Sequence, residues 1–353
     1  MLDLARAVVL LGLVLAVVWL TRACLARRDA TRRRQLLEES RQSSRDSMRQ
    51  ERWTDAIAAL QKAIELAGDD PQTKSEFFFD QAYAFEQLRD QEHALAAYDK
   101  VRQTEQEINP PRRRHLAAFR QGLVLVQQQR WIEAEDCLTR SARDAELVQR
   151  PSLQLNALRL LLGVYQSLRR PLDVVSHARR VADLAHSLGD ETTVALALDL
   201  EGDALAALGH SRAALDRYER SLDLFAKLEN TGACDVVTHD IGRLYQTLGQ
   251  WEEAERWLGV CLREQRAHGD VLAQARTAYD LACVNIHMAE FGAALGYLQF
   301  SMGSFRKAED RAGADLVGRT LLGLGVLIHR EATADRLTFA DIERGSAKLK
   351  SGQ

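Results

Sequence analysis

Apolar residues recur along this chain at helical spacing, in short stripes that glycines interrupt. Residues 240–261 show the pattern most clearly and read DIGRLYQTLGQWEEAERWLGVC. Gly242 and Tyr245 lie about one helical turn apart, and a second stripe begins after the break at Gly249. That second stripe consists of Ala254, Leu258 and Cys261. The spacing predicts two helices joined by a short turn, and neither helix can bury its stripe alone.

The second stripe returns every forty residues. Its first position carries Ala56, Ala94, Ala134, Val174, Ala214, Ala254 and Ala294, with one shorter step of thirty-eight between the first two. Four residues later stand Leu60, Tyr98, Leu138, Ala178, Tyr218, Leu258 and Leu298. Seven residues later stand Ala63, Val101, Ser141, Val181, Ser221, Cys261 and Ser301. Twelve residues before the alanine stand Ala82, Gly122, Leu162, Gly202, Gly242 and Ala282. Small residues at fixed positions predict close helix crossings.

This pattern resembles the tetratricopeptide repeat (TPR), W-x2-L-G-x2-Y followed by A-x3-F. One unit matches it at Leu198, Gly202, Leu205, Gly209, Ala214 and Tyr218, and the next at Ile241, Gly242, Tyr245, Gly249, Ala254 and Leu258. The period is forty residues instead of thirty-four, as in a long-repeat subgroup whose joints read Gly-Asp, here Gly189-Asp190 and Gly269-Asp270. The resemblance implies an all-α, right-handed α-solenoid of helix-turn-helix repeats. About seven repeats and a C-terminal cap are expected over residues 37–343, followed by a polar tail at 344–353.

The start of the chain differs from the repeats. Residues 7–20 are an unbroken apolar run, and residues 1–35 hold seven Arg against two Asp, hence +5 within a net charge of −3. A cleaved signal peptide and a lipoprotein anchored at Cys24 are possible interpretations, but the positive charge follows the run, which fits an uncleaved signal anchor best. We therefore expect a transmembrane anchor at 1–26 that contacts the lipid bilayer through residues 5–22, and a basic juxtamembrane segment at 27–36. The repeats would then face the cytoplasm, at a bacterial inner membrane rather than an organelle membrane.

Motifs that carry chemistry are missing from the sequence. There is no phosphate loop, no H-E-x-x-H, no C-x-x-C and no G-x-S-x-G. His239 and Asp240 are adjacent, but neighbours on a helix are expected to point apart. The repeat region carries −8, the remainder after the +5 of the first 35 residues, which argues against nucleic acid as a partner. We expect no catalytic residue, no metal site and no cofactor.

By analogy with TPR proteins, a peptide or protein partner is expected on the concave face, which the first helix of each repeat lines. The positions of that face are Asn156, Arg159, Gln166, Asp199, Asp203, His239, Arg243, Gln246, Arg276, Tyr279 and His287. The Lys/Asn clamp that some TPR proteins use for a C-terminal carboxylate is not present at these positions. The resulting hypothesis is a membrane-anchored scaffold that recruits a partner protein. The alternatives are a regulatory sensor of a peptide or protein, and an organelle-membrane receptor.

Overall fold

The structure of the protein is a computed structural model. It describes the backbone of residues 2–106 and 108–331, and the side chains of residues 22, 27–106 and 108–328. This part of the chain is all α-helical and holds fifteen helices. The helices are α1 (Leu2–Arg49), α2 (Trp53–Ala67), α3 (Pro71–Gln87), α4 (Gln91–Thr104), α5 (Arg114–Gln127), α6 (Trp131–Leu147), α7 (Pro151–Ser167), α8 (Pro171–Ser187), α9 (Glu191–Ala207), α10 (Ser211–Lys227), α11 (Thr231–Thr247), α12 (Trp251–His268), α13 (Val271–His287), α14 (Phe291–Lys307) and α15 (Arg311–Glu331).

The chain forms two compact units. Unit 1 is Met1–Val164 and holds α1–α6 with most of α7, and unit 2 is Tyr165–Gln353 and holds the end of α7 with α8–α15. Within unit 1, each helix from α1 to α6 packs against the next, and the same holds from α8 to α15 in unit 2. We call the odd-numbered helices A helices and the even-numbered ones B helices. Each unit thus contains the helix pairs that the forty-residue period predicts.

The repeat alanine lies at the centre of the packing in both units. Ala94, Ala134, Ala214, Ala254 and Ala294 are all completely buried. The larger residue four positions later is buried as well and fills the space between the two helices of its repeat. The prediction of a TPR-like array of paired helices is confirmed for the part of the chain that the structure describes.

Glycine at the A-helix position of the repeat permits a close crossing. A Cβ atom built on Gly242 would lie 2.7 Å from Cγ of Leu258, and one on Gly202 would lie 2.6 Å from Cε1 of Tyr218. Atoms at these distances overlap, so any larger residue would push the two helices apart. Glycine is required here by space, since the backbone is an ordinary α-helix.

The small residue seven positions after the alanine forms a hydrogen bond that the sequence analysis did not anticipate. The buried hydroxyls of Ser141, Ser221 and Ser301 donate to a backbone carbonyl of the preceding A helix, at 2.9, 2.8 and 2.7 Å. In each case the acceptor lies 26 residues earlier in the chain. This bond satisfies a polar group inside the repeat and links the two helices in a fixed register.

The Gly-Asp joints end one helix and begin the next. Gly269 adopts a left-handed conformation at φ 80° after α12, and the side chain of Asp270 accepts the backbone N–H groups of Leu272 and Ala273 at 3.1 and 3.0 Å. Gly189 has φ 72°, and Asp190 accepts from the N–H of Thr193 at 3.0 Å. Glycine tolerates positive φ, and Asp caps the orphan N–H groups of the following helix.

The prediction of a single-pass membrane protein is wrong. Among the helices of the described residues, none is both long enough and apolar enough to cross a membrane. The apolar run at 7–20 covers only about 21 Å of helix, against about 30 Å of hydrocarbon. Without the anchor, the predicted localisation with repeats facing the cytoplasm has no basis. The expected lipid contact of residues 5–22 has none either, and the side chains of these residues lie almost entirely outside the described residues.

The first helix runs without interruption through residues 26 and 36, where the sequence predicted the anchor and the basic segment to end. Arg33 of the basic segment packs against the repeats. Its Nε donates to the carbonyl of Leu66 at 2.8 Å and its Nη2 to that of Glu65 at 3.3 Å, which caps the C-terminal end of α2. The end of the predicted C-terminal cap, at 332–343, and the predicted polar tail at 344–353 lie outside the described residues.

Candidate functional site

The A helices of unit 2 lie side by side and share one polar face. The imidazole Nε2 of His239 on α11 is 2.8 Å from Oδ2 of Asp280 on α13. The hydroxyl of Tyr279 on α13 is 3.2 Å from that of Thr320 on α15. These contacts join residues 41 apart in the chain, one more than the repeat period, so nearly equivalent positions of successive A helices are neighbours in space. We call this surface the A-helix face.

The structure distributes the predicted site residues between the two units. Asn156 and Arg159 belong to unit 1 and are exposed. The other nine belong to unit 2. Five of these nine lie around a group of carboxylates on α9 and α11: Gln166, Asp199, Asp203, His239 and Arg243. Some are in direct contact, and others act on one another through their charges.

The centre of this group is Asp199. Its side chain is only 7% exposed, and its Oδ1 is buried with no hydrogen-bond partner. Burial raises the pKa of Asp199 to about 8, helped by the negative charges of Asp240 and Asp203. We call Asp199, Asp203 and Asp240 the acidic cluster. An ionised carboxylate in such a place is costly for the folded chain, because burial removes it from solvent and its Oδ1 accepts no hydrogen bond from the described residues.

Asp203 is better supported than Asp199. The phenol of Tyr218 donates to its Oδ1 at 2.8 Å, and the amide of Gln166 donates to its Oδ2 at 3.1 Å. Burial and the charge of Asp240 raise the pKa of Asp203 to about 6, against the opposing effects of the Tyr218 hydrogen bond and the Arg243 charge. The predicted pair Gln166 and Asp203 is therefore in direct contact.

His239 sits between two carboxylates. Its Nδ1 is 3.8 Å from Oδ1 of Asp240, and its Nε2 is 2.8 Å from Oδ2 of Asp280. Burial alone would lower the pKa of His239, but its contacts with Asp240 and Asp280 outweigh burial and raise the pKa to about 9. The imidazole is therefore a cation at neutral pH. The expectation that His239 and Asp240 point apart is wrong, because both side chains lean toward the same A-helix face.

A pocket of about 350 Å³ adjoins the acidic cluster. Gln166 and Asp203 stand on its wall, and its apolar lining comes from the start of α8 and from one side of α9. The apolar lining residues are Pro171, Val174, Leu200, Ala204 and Ala207. Arg169 and Arg170 complete the wall. An apolar pocket next to buried carboxylates suits a ligand that carries an apolar and a basic group side by side.

The remaining predicted residues serve different purposes. The ring of His287 stacks on Trp251 with centroids 4.1 Å apart and planes 5° from parallel, and Tyr279 bonds to Thr320 as described. Both are thus engaged in packing between helices. Arg276 is exposed and Gln246 is half-buried.

The sequence analysis missed Asp240, Asp280 and the pocket. The period itself held a signal for the first two, because Asp240 and Asp280 stand forty residues apart on the same face of successive A helices. Among the described residues, no group of three or more His, Cys, Asp or Glu side chains is arranged to hold a metal ion.

Solved structures with the same arrangement of helices are numerous. The quorum sensor NprR from Bacillus thuringiensis in its apo form has a TM-score of 0.54 and 15% identity, and the match covers 81% of this chain and 80% of that one. A signal transduction ATPase with a tetratricopeptide repeat sensor from Pyrococcus horikoshii has a TM-score of 0.54 and 15% identity over 75% of this chain and 42% of that one. The fold is that of the TPR-like helical repeats.

A third likeness is to aspartyl phosphate phosphatase F from Bacillus subtilis, with a TM-score of 0.52 and 10% identity over 75% of each chain. At such identities the likeness concerns the fold alone. No family profile matches the chain, and no curated protein matches it significantly in sequence.

Proposed function

We propose that this chain is a regulatory sensor that binds a peptide, or an extended segment of a partner protein, on the A-helix face of unit 2. A basic group of the ligand meets the acidic cluster, and an adjacent apolar side chain enters the pocket beside it. The chain has no catalytic role in this proposal. The observation that supports it most is Asp199, a buried carboxyl with an unbonded oxygen in a cluster whose Asp203 lines the pocket.

The charges around the cluster favour a cationic ligand. The carboxyls of Asp199, Asp203, Asp240 and Asp280 lie near two cations: the imidazolium of His239 contacts Asp240 and Asp280, and the charge of Arg243 acts on Asp203. An ammonium or guanidinium group from the ligand would reduce the remaining negative charge and donate to the unbonded oxygen of Asp199. Charge-assisted hydrogen bonds of this kind are stronger than neutral ones.

Two of the structural neighbours support a sensor over a scaffold. The B. thuringiensis protein is described as a quorum sensor, and the P. horikoshii repeats are described as a sensor of a signal transduction ATPase. The membrane-anchored scaffold has lost the anchor on which it depended. A sensor in which the repeats bind a peptide is the alternative that remains supported by the fold and by the site.

Binding of a basic group should depend on pH. In the empty site Asp199 holds a proton up to a pH of about 8, and a bound cation displaces that proton. The affinity should therefore rise with pH between about 6 and 8, up to about tenfold for each pH unit over which a proton is released.

The test begins with an array of random octapeptides probed with the full-length protein. Bound peptides should be enriched in Lys or Arg next to Leu, Ile, Val or Phe. The best peptide is then titrated by calorimetry at pH 6 and pH 8.5 against the wild type, Asp199→Asn and Asp203→Asn. Asp223→Asn is the matched control, because Asp223 is exposed on α10 of the same unit.

The proposal predicts weaker binding at pH 6 and weaker binding by both cluster variants, with the control unchanged. Absence of any enrichment for basic residues would overturn the ligand class. Equal binding by the wild type and both cluster variants would overturn the site.

A further inference from the structure

A second pocket lies in unit 1, outside the A-helix face. Its volume is about 470 Å³, and it is formed by the end of α4, the start of α5 and the second half of α6. The described lining residues are Arg102, Gln103, Gln106, Arg114, Ala118, Arg140, Arg143, Asp144 and Leu147. Four arginines thus face one acidic residue. We call this site the arginine pocket.

One side of the arginine pocket is fixed by a buried network. Arg114 donates through Nε and Nη2 to both oxygens of Asp144, at 2.8 and 2.9 Å, and through Nη1 to the carbonyl of Glu105 at 3.2 Å. Glu105 is 1% exposed, and its carboxylate accepts the backbone N–H groups of Arg113 and Arg114 at 2.9 Å. Arg114 therefore neutralises Asp144, the one acid among the described lining residues, and holds the wall in place.

The other three guanidinium groups retain positive charge for a ligand. Arg102 pairs with Asp99 at 3.0 Å and Arg140 with Asp136 at 2.5 Å, each through one terminal nitrogen and each within a single helix. Those two acids are about half exposed or more, and ion pairs of this kind contribute little. Arg143 is exposed and forms no ion pair among the described residues.

The repeat itself does not require these arginines. Position 143 corresponds to Asp183 and Asp223 in the next two B helices, forty and eighty residues later. Arg102 corresponds to Ala142 on α6. The repeat pattern thus leaves positions 102 and 143 free to vary, although Arg140 recurs as Arg180 and Arg220, and Arg143 recurs as Arg263 on α12. What distinguishes the arginine pocket is that four guanidinium groups from α4, α5 and α6 line one cavity.

We propose that the arginine pocket binds a compact phosphate anion with several charges, of the pyrophosphate type. Guanidinium groups match phosphate oxygens in geometry and charge, and the volume lies in the range of small-molecule sites. No aromatic side chain is present among the described lining residues, so the site offers no surface on which a nucleobase could stack. Charge and shape thus favour the phosphate chain itself over a nucleotide.

The test is calorimetric titration of the full-length protein with pyrophosphate, inorganic phosphate, triphosphate and ATP at 50 mM and 300 mM salt. Pyrophosphate should bind more tightly than phosphate, and ATP no more tightly than triphosphate. Arg143→Asp is the decisive variant, because it introduces the residue that α8 and α10 carry at the same register. It should weaken pyrophosphate binding at least about tenfold, since it reverses a charge at the site.

Arg263→Asp is the matched control, because Arg263 is the exposed residue at the equivalent register of α12, in unit 2. Circular dichroism and melting of both variants should equal those of the wild type. A wild type that binds no pyrophosphate at millimolar concentration would overturn the proposal. An equal loss in Arg263→Asp would also overturn it, since binding would then follow net charge instead of the pocket. The phosphate class would be overturned if a glutamate-rich peptide bound more tightly than pyrophosphate and this binding were lost in Arg143→Asp. The ligand would then be an acidic peptide.

Discussion

Asp199→Asn should stabilise the empty protein at neutral pH. The carboxyl of Asp199 is buried, and one of its oxygens has no partner, so its ionisation opposes folding. The carboxamide has nearly the same shape and no charge. The substitution therefore removes the cost of ionisation and leaves the packing of α9 largely unchanged. If removing this charge stabilises the protein, the carboxyl of Asp199 does not serve stability. That result would identify it as a group that serves ligand binding.

The magnitude follows from the pKa. In the folded chain the pKa of Asp199 rises from 3.8 to about 8. Each pH unit above the unfolded value costs the folded state about 1.4 kcal/mol until the folded pKa is reached. At pH 7 this cost is about 4 kcal/mol. The variant should recover about 2–4 kcal/mol of it, since the amide must still be accommodated among the neighbours of Asp199.

The sign of the pH dependence separates this effect from a general improvement in packing. Because the folded pKa is the higher one, the contribution of Asp199 to stability is fully present below pH 4 and is lost as the pH rises to about 8. The stability advantage of the variant should therefore be near zero at pH 4 and grow toward pH 8. His239, whose pKa rises from 6.5 to about 9 on folding, also makes stability depend on pH, but this contribution is common to the wild type and the variant and cancels in their difference.

The measurement is urea denaturation of the full-length protein followed by far-UV circular dichroism at pH 4.5, 6, 7 and 8. Asp223→Asn controls for the change of net charge, because Asp223 is exposed on the neighbouring helix α10. The control should differ from the wild type by less than about 0.5 kcal/mol at every pH. Equal stability of Asp199→Asn and the wild type at pH 8 would refute the reasoning. So would an advantage that is constant with pH.

Two further predictions concern the helix crossings. Both are measured by urea denaturation of the full-length protein with substitutions in unit 2. Gly242→Ala should lower the free energy of unfolding by about 1–2 kcal/mol, because the added Cβ would lie 2.7 Å from Leu258. Gly259→Ala should raise it by about 0.5–1 kcal/mol, because its Cβ would meet nothing within 4 Å. The opposite order would show that the crossing is not close. Ser221→Ala should cost about 1 kcal/mol through loss of the buried bond to the carbonyl of Ala195, and no loss would mean that this bond is not formed.

The helix pairs could be predicted from the sequence because their packing is local. The glycine of the A helix meets the large residue of the B helix 16 residues later, as Gly242 and Leu258 do, so the same spacing recurs wherever the same crossing is made. A pattern with this origin appears directly as a period of the sequence. The hydroxyl that donates to the preceding A helix follows the same period, but a serine and an alanine at that position are equally small, so the bond leaves no distinct signal.

The site was predicted less completely, since burial there depends on contacts between different repeats. Asp199 was expected on the concave face as a partner-binding residue, but its burial comes from its surroundings on α9 and α11, which no local pattern reveals. The N-terminal apolar run at 7–20 shows the same limitation of local patterns. Local hydropathy and flanking charge favoured an anchor, but helix length and continuity with the repeats decide whether such a run can span a bilayer.

Both proposed sites arise where the chain departs from its own period. The positions that pack within a repeat are nearly constant, as the column from Ala94 to Ala294 shows. By contrast, the A-helix position occupied by Asp199 carries arginine, histidine or tyrosine in other repeats, namely Arg159, His239 and Tyr279. Packing accepts different residues at such a position, so its residue can be selected by a ligand as well as by the fold. In a repeat protein without recognisable catalytic motifs, the strongest indication of function is therefore a buried or concentrated charge at a position where the other repeats carry a different residue.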